Sequence, residues 1–286
     1  MPSAMSGQLR IGLSRAGIAL VHQRGWLRRS SHLLDACSLG DEAELSVDQV
    51  ASRLDQMLSQ AGCRQLSTRL VLADHWSRHW MVTPPANAVR PADCQAGAAA
   101  RFQALYGEPL GAWQLAAAAH ASQAFLAVAV PTALLAALRQ VCDRHQLAQR
   151  EVATQFVVGW NRWRLALQPG AWFAVVHGGA MTLGAVVGGR LRAIRGLALP
   201  AQAEAGWLAT AVRREALRWL IEPPSLLQCC GDWPASWGAA VTAEAAGSVD
   251  AGWTCRRLDG SGPGADLAKG LIDSRQAAVR LATTGY

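Results

Sequence analysis

The chain has 286 residues, 51% hydrophobic and 16% charged, a balance that excludes a disordered polymer and allows either one large domain or two ordinary ones around a sizeable core. The formal net charge is +7, and arginine supplies 26 of the 27 basic residues, with Lys269 the only lysine. That lysine is in no GxxxxGK[ST], which excludes a P-loop enzyme. The arginines form scattered pairs (Arg28-Arg29, Arg213-Arg214, Arg256-Arg257) instead of a stripe interleaved with aromatic platforms. This argues against a nucleic-acid partner and for solvated faces that attract anionic partners or a membrane surface.

No apolar run approaches the length of a membrane span, and the opening MPSAMSGQLR lacks the charged segment and apolar core of a signal peptide. The seven cysteines show no CxxC and no metal-ligand spacing with histidine. They are expected to be reduced core thiols in a cytoplasmic protein.

In chain order, residues 8–21 (QLRIGLSRAGIALV) predict strand, tight turn and strand, with Ser14-Arg-Ala-Gly17 at the bend, and a third short strand around Trp26. Ser46 is placed to cap a helix with Val47, Val50, Leu54, Met57 and Leu58 on one face. Two short strands follow at 69–73 and 79–82, then a break at Pro84-Pro85. A helix over 92–106 should bury Ala98, Phe102 and Leu105, and strands at 113–119 and 124–130 should pair through His120-Ala-Ser-Gln123. Pro131 opens a helix over 132–145, with Leu134, Leu135, Leu138 and Val141 inward. A strand at 151–155 and a short helix through Trp160 and Trp163 lead to Gln168-Pro-Gly170, the punctuation between two halves. The second half continues with a hairpin and a long helix near 204–220 burying Trp207, Ala211, Ala216, Leu217 and Leu220. After it come strands at 225–230 and 253–257 around a Gly231-Asp-Trp-Pro loop, and a last helix over 266–280.

The two halves open alike. RIGLSRAGIALVHQRGWLRR and FAVVHGGAMTLGAVVGGRLRA both run strand, small-residue turn, strand, glycine turn, arginine-flanked strand, which aligns Ser14 with His177. This pattern predicts a duplicated α/β unit. Two such halves, each offering a hairpin to a central cleft, resemble the actin, Hsp70 and sugar-kinase superfamily. The order of elements resembles its PilM branch of type IV pilus assembly and the cytoplasmic domain of GspL secretion platforms. The segments RLVLADHWSRHWMVTPP, AFLAVAVPTALLAALRQVCDRHQL with EVATQF, and WFAVVHGGAMTLGAVVGGRLRAIRGLALP carry this resemblance over nearly the whole chain. It implies a two-lobed actin-like α/β fold with a small subdomain inserted in the first half. The first half would be 1–168, with the insertion at about 69–155, and the second 169–286, its last helix free to return to the first.

In ATP-binding members of that family an aspartate precedes the turn of the first phosphate hairpin, where this chain has Ser14. A second aspartate opens the other hairpin, where this chain has His177 before Gly178. The glycine-rich strand end that packs on adenosine would be Leu227-Gln-Cys-Cys-Gly-Asp232, with one glycine, Gly231. The resemblance therefore implies a degenerate nucleotide cleft carried by Ser14, Arg15, Gly17, His177, Gly178, Gly179, Thr182 and Gly231. It holds no cofactor, or only weakly bound ATP or ADP, because magnesium prefers oxygen ligands in octahedral geometry. His177 admits two roles, a strand-end histidine with a local hydrogen bond or a phosphate contact. Asp74-His75 and His79 have no serine or cysteine nucleophile in a recognisable elbow beside them.

The function implied is a non-catalytic platform at the inner membrane's cytoplasmic face. It would bind the cytoplasmic tail of a PilN-like membrane protein and connect to the assembly motor ATPase. Trp76, Arg78 and Trp80, in His75-Trp-Ser-Arg-His-Trp80, are the expected tail contacts, packing under the Pro84-Pro85 turn being the alternative for Trp80. The competing class is an ATP-dependent enzyme of the same superfamily, a small-molecule kinase or ATPase, for which no motif identifies the acid.

Overall fold

Apolar residues on both sides of a tight turn make the first hairpin, β1 (Gln8–Leu13) and β2 (Gly17–Arg24), antiparallel with Leu13 opposite Ile18. It belongs to a computed structural model that describes residues 7–25, 30–40, 46–201, 203–237, 254–258 and 273–283. The chain divides into two compact units, one from 1–77, 130–158 and 261–286, the other from 78–129 and 159–260.

In the first unit β3 (Ser30–Ser38) pairs antiparallel with β2, while β4 (Ser67–Leu72) pairs parallel with β1 and β8 (Ala148–Thr154) parallel with β4. The sheet order is β3-β2-β1-β4-β8. Parallel neighbours need crossover helices, here α1 (Val47–Ala61) before β4 and α3 (Thr132–Arg144) before β8. The Ser46 side chain accepts from the Gln49 N–H at 3.2 Å and the Gln49 side chain accepts from the Ser46 N–H at 2.8 Å, a reciprocal cap that starts α1. Gly62, at φ 63°, ends it in the left-handed conformation. The last helix, α6 (Asp273–Thr283), packs Ala278, Val279 and Ala282 on Ala19 and Val21 of β2. A Cβ on Gly12 would lie 2.4 Å from the Ala278 carbonyl oxygen and 2.6 Å from the Ala282 nitrogen. Only glycine lets β1 and α6 come this close.

The second unit contains two sheets. Its five-stranded sheet runs β11-β10-β9-β12-β13, from β9 (Ala171–His177), β10 (Ala180–Val187), β11 (Arg190–Ala198), β12 (Leu226–Gly231) and β13 (Thr254–Arg257). Order and direction repeat the first sheet strand for strand: an antiparallel three-stranded meander, then two parallel neighbours. The Gly178-Gly179 and Gly188-Gly189 turns have φ of 54°, 76°, 59° and 74°, the positive pair that a two-residue type I′ hairpin demands. One face of this sheet packs on α5 (Ala205–Trp219) through Trp172, Leu183, Leu208, Val212, Leu227 and Trp237. The other sheet, β5-β7-β6, is β5 (Arg78–Val82), β6 (Trp113–Ala117) and β7 (Phe125–Pro131), covered by α2 (Pro91–Tyr106). Phe102 is its aromatic centre, 5.2 Å from Trp80, 5.1 Å from Tyr106 and 5.7 Å from Trp113 between ring centroids. β5 also lies against β11. The short helix α4 (Gln155–Trp163) follows β8.

Several sequence expectations change. β4 and β8, with α3 before β8, were expected inside the insertion at about 69–155, but they complete the first sheet, and segment 78–129 clusters with 159–260. Leu105 is 46% exposed, Leu217 76% and Leu220 94%. The buried stripe of α5 runs instead through Leu208, Ala211, Val212, Glu215 and Ala216, and Leu220 is the left-handed cap at φ 52°. Trp26, Trp253 and the start of the last helix at 266–272 lie outside the described residues. Six of the seven cysteines are buried, Cys255 partly so, and all are free thiols.

Two measurements test this packing. Gly12→Ala should cost about 1–3 kcal/mol by overpacking, whereas Gly206→Ala, on α5 with open space around its Cβ, should be neutral or stabilise by up to about 1 kcal/mol. Urea unfolding of both variants reads the difference, and equal behaviour would refute the close approach of α6.

The second concerns Asp55 on α1, 2.9 Å from the Arg144 guanidinium and 3.0 Å from His145 Nε2. Burial pushes its carboxyl up, but hydrogen bonds from His145 and Arg144 outweigh this and hold it below its ordinary value. A carboxyl depressed by folding stabilises the fold above its unfolded pKa of about 3.9, and that contribution is lost as pH falls through the folded value. Asp55→Asn should therefore cost less than about 1 kcal/mol at neutral pH and flatten the fall in melting temperature below about pH 5. An unchanged acid limb would count against the linkage.

Candidate functional site

The end of β1 places Ser14, wholly buried, at the mouth of the first turn. Its N–H donates to the Gly17 carbonyl at 2.9 Å, its hydroxyl donates to the same carbonyl at 3.1 Å, and that hydroxyl accepts from the Gly17 N–H at 3.0 Å. The Arg15 N–H donates to His75 Nε2 at 2.8 Å, so Nε2 carries no proton and the His75 proton sits on Nδ1. The Arg15 guanidinium lies over the Trp76 ring at 5.8 Å, and the Trp76 and His75 rings are 5.5 Å apart. Ser14, Arg15 and Gly17 have thus given their N–H groups to partners within the chain. A hairpin that cradles phosphate works by presenting those same groups outward.

His75 reaches the turn because β4 runs parallel to β1 and continues past it, the Ala73 N–H donating to the Leu13 carbonyl at 2.9 Å. Asp74 is spent locally as well, since its Oδ1 accepts from the Phe156 N–H at 2.9 Å near the start of α4. His79 is buried, and its carbonyl accepts from the Tyr106 hydroxyl at 3.0 Å. None of the three is placed as a catalytic group.

The second hairpin has diverged. His177 ends β9 opposite Ala180 and is 4% exposed. An added Cβ at Gly178 or Gly179 would meet open space, so this turn is unobstructed. Beside it the Asp232 N–H donates to the Val176 carbonyl at 2.8 Å, the same bond that Ala73 makes in the first half. Structure therefore matches Ser14 with His177, as the sequence alignment does, and matches Ala73 with Asp232. Gly231, at φ 98°, would drive a Cβ to 2.1 Å from the Val176 oxygen, and its own carbonyl accepts from Arg257 at 3.3 Å. Its glycine serves strand packing. Thr182 is buried on β10 opposite Val175, on the His177 face but away from the turn.

Asp232 Oδ2 lies 3.3 Å from His177 Nδ1. Sequence reasoning placed this acid in a strand end and did not connect it with His177. Only the parallel register of β12 on β9 joins them. The contact is one of proximity and charge: neither His177 nitrogen makes a hydrogen bond and both are buried, so the pair lacks the hydrogen-bonded geometry of an oriented general base. Among the described residues no group of three or more metal-ligating side chains occurs.

The residues expected to receive a partner's tail differ in their surroundings. Trp80 is 2% exposed, in the core with Phe102, which is the packing alternative and not a tail contact. Trp76 packs on the first turn. Arg78 keeps a partly exposed head, 5.2 Å over Trp113 and 5.6 Å over Tyr106, with Glu108 at 3.5 Å.

No protein-family model and no curated protein matches the chain. Among solved structures it is similar to a chain of the PilM–PilN type IV pilus biogenesis complex, with TM-score 0.61 and 14% identity over 99% of both chains. It is similar to the cytoplasmic domain of EpsL, an inner-membrane component of the type II secretion system of Vibrio cholerae, with TM-score 0.56 and 12% identity over 98% of this chain and 96% of that one. A Bacteroides thetaiotaomicron protein of unknown function with an actin-like ATPase fold gives TM-score 0.58 and 10% identity over 81% of this chain and 84% of that one. The chain has the actin-like fold that its duplicated hairpins indicate.

Proposed function

We propose that the chain is a non-catalytic assembly-platform protein of a type IV pilus or related secretion machine, binding the cytoplasmic tail of a PilN-like inner-membrane partner. The carrying observation is the closure of the first hairpin, whose N–H groups at Ser14, Arg15 and Gly17 are taken by the Ser14 hydroxyl, the Gly17 carbonyl and His75. A triphosphate would have to displace an imidazole before it could be held there, and it would find serine where a magnesium-anchoring acid is needed. The fold shared with a chain of the PilM–PilN complex and with the EpsL cytoplasmic domain supports the class of machine and a place at the inner membrane's cytoplasmic face, and a connection to the motor ATPase is part of the same proposal. No helix among the described residues is long and apolar enough to cross a membrane.

A second class is favoured by one feature, the His177–Asp232 pair beside the open Gly178-Gly179 turn. Asp232 is a carboxylate that could serve an ATP-dependent enzyme.

Calorimetric titration with magnesium-ATP separates the two. The platform reading expects no saturable binding tighter than about 1 mM and phosphate release at background. Immobilised protein should capture a PilN-like tail peptide, and Arg78→Glu should weaken that capture while leaving the melting temperature nearly unchanged. Trp80→Ala should instead destabilise the fold by about 3–5 kcal/mol. Magnesium-ATP turnover above background without tail capture would replace the platform by the enzyme.

A further inference from the structure

Within the second unit a cavity of about 590 Å³ lies among the segment after β5, the β6–β7 loop and the start of β11. Its charged lining is Arg190 and Arg192, with no aspartate or glutamate. Arg192 is there because β11 carries a bulge: Ala185 pairs with Ala193 and Val186 with Leu191, which leaves Arg192 as the extra residue. Bulges re-aim a side chain at a sheet edge. Arg190 donates to Gln123 Oε1 at 2.6 Å, which occupies the amide's acceptor and leaves its N–H₂ as the polar group for the cavity.

Among the described residues no carboxylate stands within ion-pair distance of either arginine. Their neighbours are committed by contrast: Arg195, further along β11, is 3.7 Å from Glu215, and Arg78 on β5 is 3.5 Å from Glu108. The cavity thus offers two guanidinium forks and an amide, with Thr83 as a hydroxyl partner and Pro84 and Pro85 in its wall. The lining contains no aromatic residue to stack a base and no glycine or helix N-terminus to nest a phosphate. Planar forks and small aliphatic walls fit planar carboxylates on short aliphatic stems.

We infer that this cavity binds an acidic peptide segment of a partner protein, with Arg190 and Arg192 taking aspartate or glutamate side chains and Gln123 donating beside them. The inference is independent of the nucleotide reading and of the surface around Arg78.

The test uses the whole chain and a fluorescently labelled hexaglutamate peptide, followed by anisotropy at low salt. Saturable binding is expected, weakened at least about tenfold by Arg190→Ala with Arg192→Ala and abolished by Arg192→Glu, with unchanged melting temperatures because both side chains are exposed. Arg213→Ala on α5, outside the lining, should change affinity less than about twofold. Equal binding of hexaglutamine, an equal loss in Arg213→Ala, or no loss in the double variant would each overturn the site. Displacement by an equal concentration of inorganic phosphate would overturn the peptide in favour of a phosphate ligand.

Discussion

One hydrogen bond, made twice, organises the chemistry. In each five-stranded sheet the strand after the first crossover helix runs parallel to the hairpin's first strand and overshoots it. The overshoot is pinned where the Ala73 N–H meets the Leu13 carbonyl and the Asp232 N–H meets the Val176 carbonyl, at 2.9 and 2.8 Å. Parallel register is a long-range constraint, set by crossover helices and by which strand faces are buried. Once set, it dictates which residues stand next to each turn. His75 reaches the Arg15 amide and Asp232 reaches the His177 ring as consequences of register.

This explains what could be read from sequence and what could not. The hairpins were legible because a period of two and paired glycines are local signals, and α1 was legible because Ser46 and Gln49 cap each other within a single turn. The duplication was legible because the same local signals recur in the same order. The alignment of Ser14 with His177 also holds, since both follow the residue whose carbonyl accepts the overshooting strand. The pairing of His177 with Asp232, 55 positions apart, was not legible, because no local pattern couples β9 to β12. The extent of the inserted segment failed for the same reason. Residues 69–72 and 148–154 look like any short strands until their partners are known, and their partners are β1 and each other. On α5 the apolar residues are too many to define one stripe, and buried Glu215 displaced Leu217 from the inner face. That carboxylate is 3.1 Å from Arg214 and 3.7 Å from Arg195, partners that a buried charge requires.

The two turns, equivalent by topology, have opposite chemical states. A serine hydroxyl holds one donor and two lone pairs, and Ser14 uses the donor and a lone pair on Gly17, a self-contained staple. With His75 on the Arg15 amide, three of the turn's four N–H groups, those of Ser14, Arg15 and Gly17, are taken without any ligand. The second turn has no such staple. Its glycines are open, and its histidine has a carboxylate 3.3 Å away but no hydrogen bond on either ring nitrogen. A buried imidazole without a hydrogen bond is costly compared with an apolar replacement of the same shape, so His177 is kept beside the half-buried Asp232 at some expense to the fold.

The same contrast holds for the arginines. Where the chain needs charge for structure it supplies a carboxylate at hand: Glu151 for Arg69 at 3.0 Å, Asp55 for Arg144 at 2.9 Å, Glu215 for Arg214 at 3.1 Å and Glu108 for Arg78 at 3.5 Å. Arg190 and Arg192, both exposed, have no such carboxylate among the described residues; they line a recess where a bulge places one of them and a glutamine holds the other. Exposed arginines without partners are ordinary on a flat surface, where water screens them. Along a concave wall field lines converge, which favours an incoming anion at the two exposed guanidinium groups there. Among the described residues the second unit thus keeps an open glycine turn and two arginines without a carboxylate partner, while the first unit has spent the Ser14, Arg15 and Gly17 N–H groups of its hairpin on its own carbonyl, imidazole and hydroxyl.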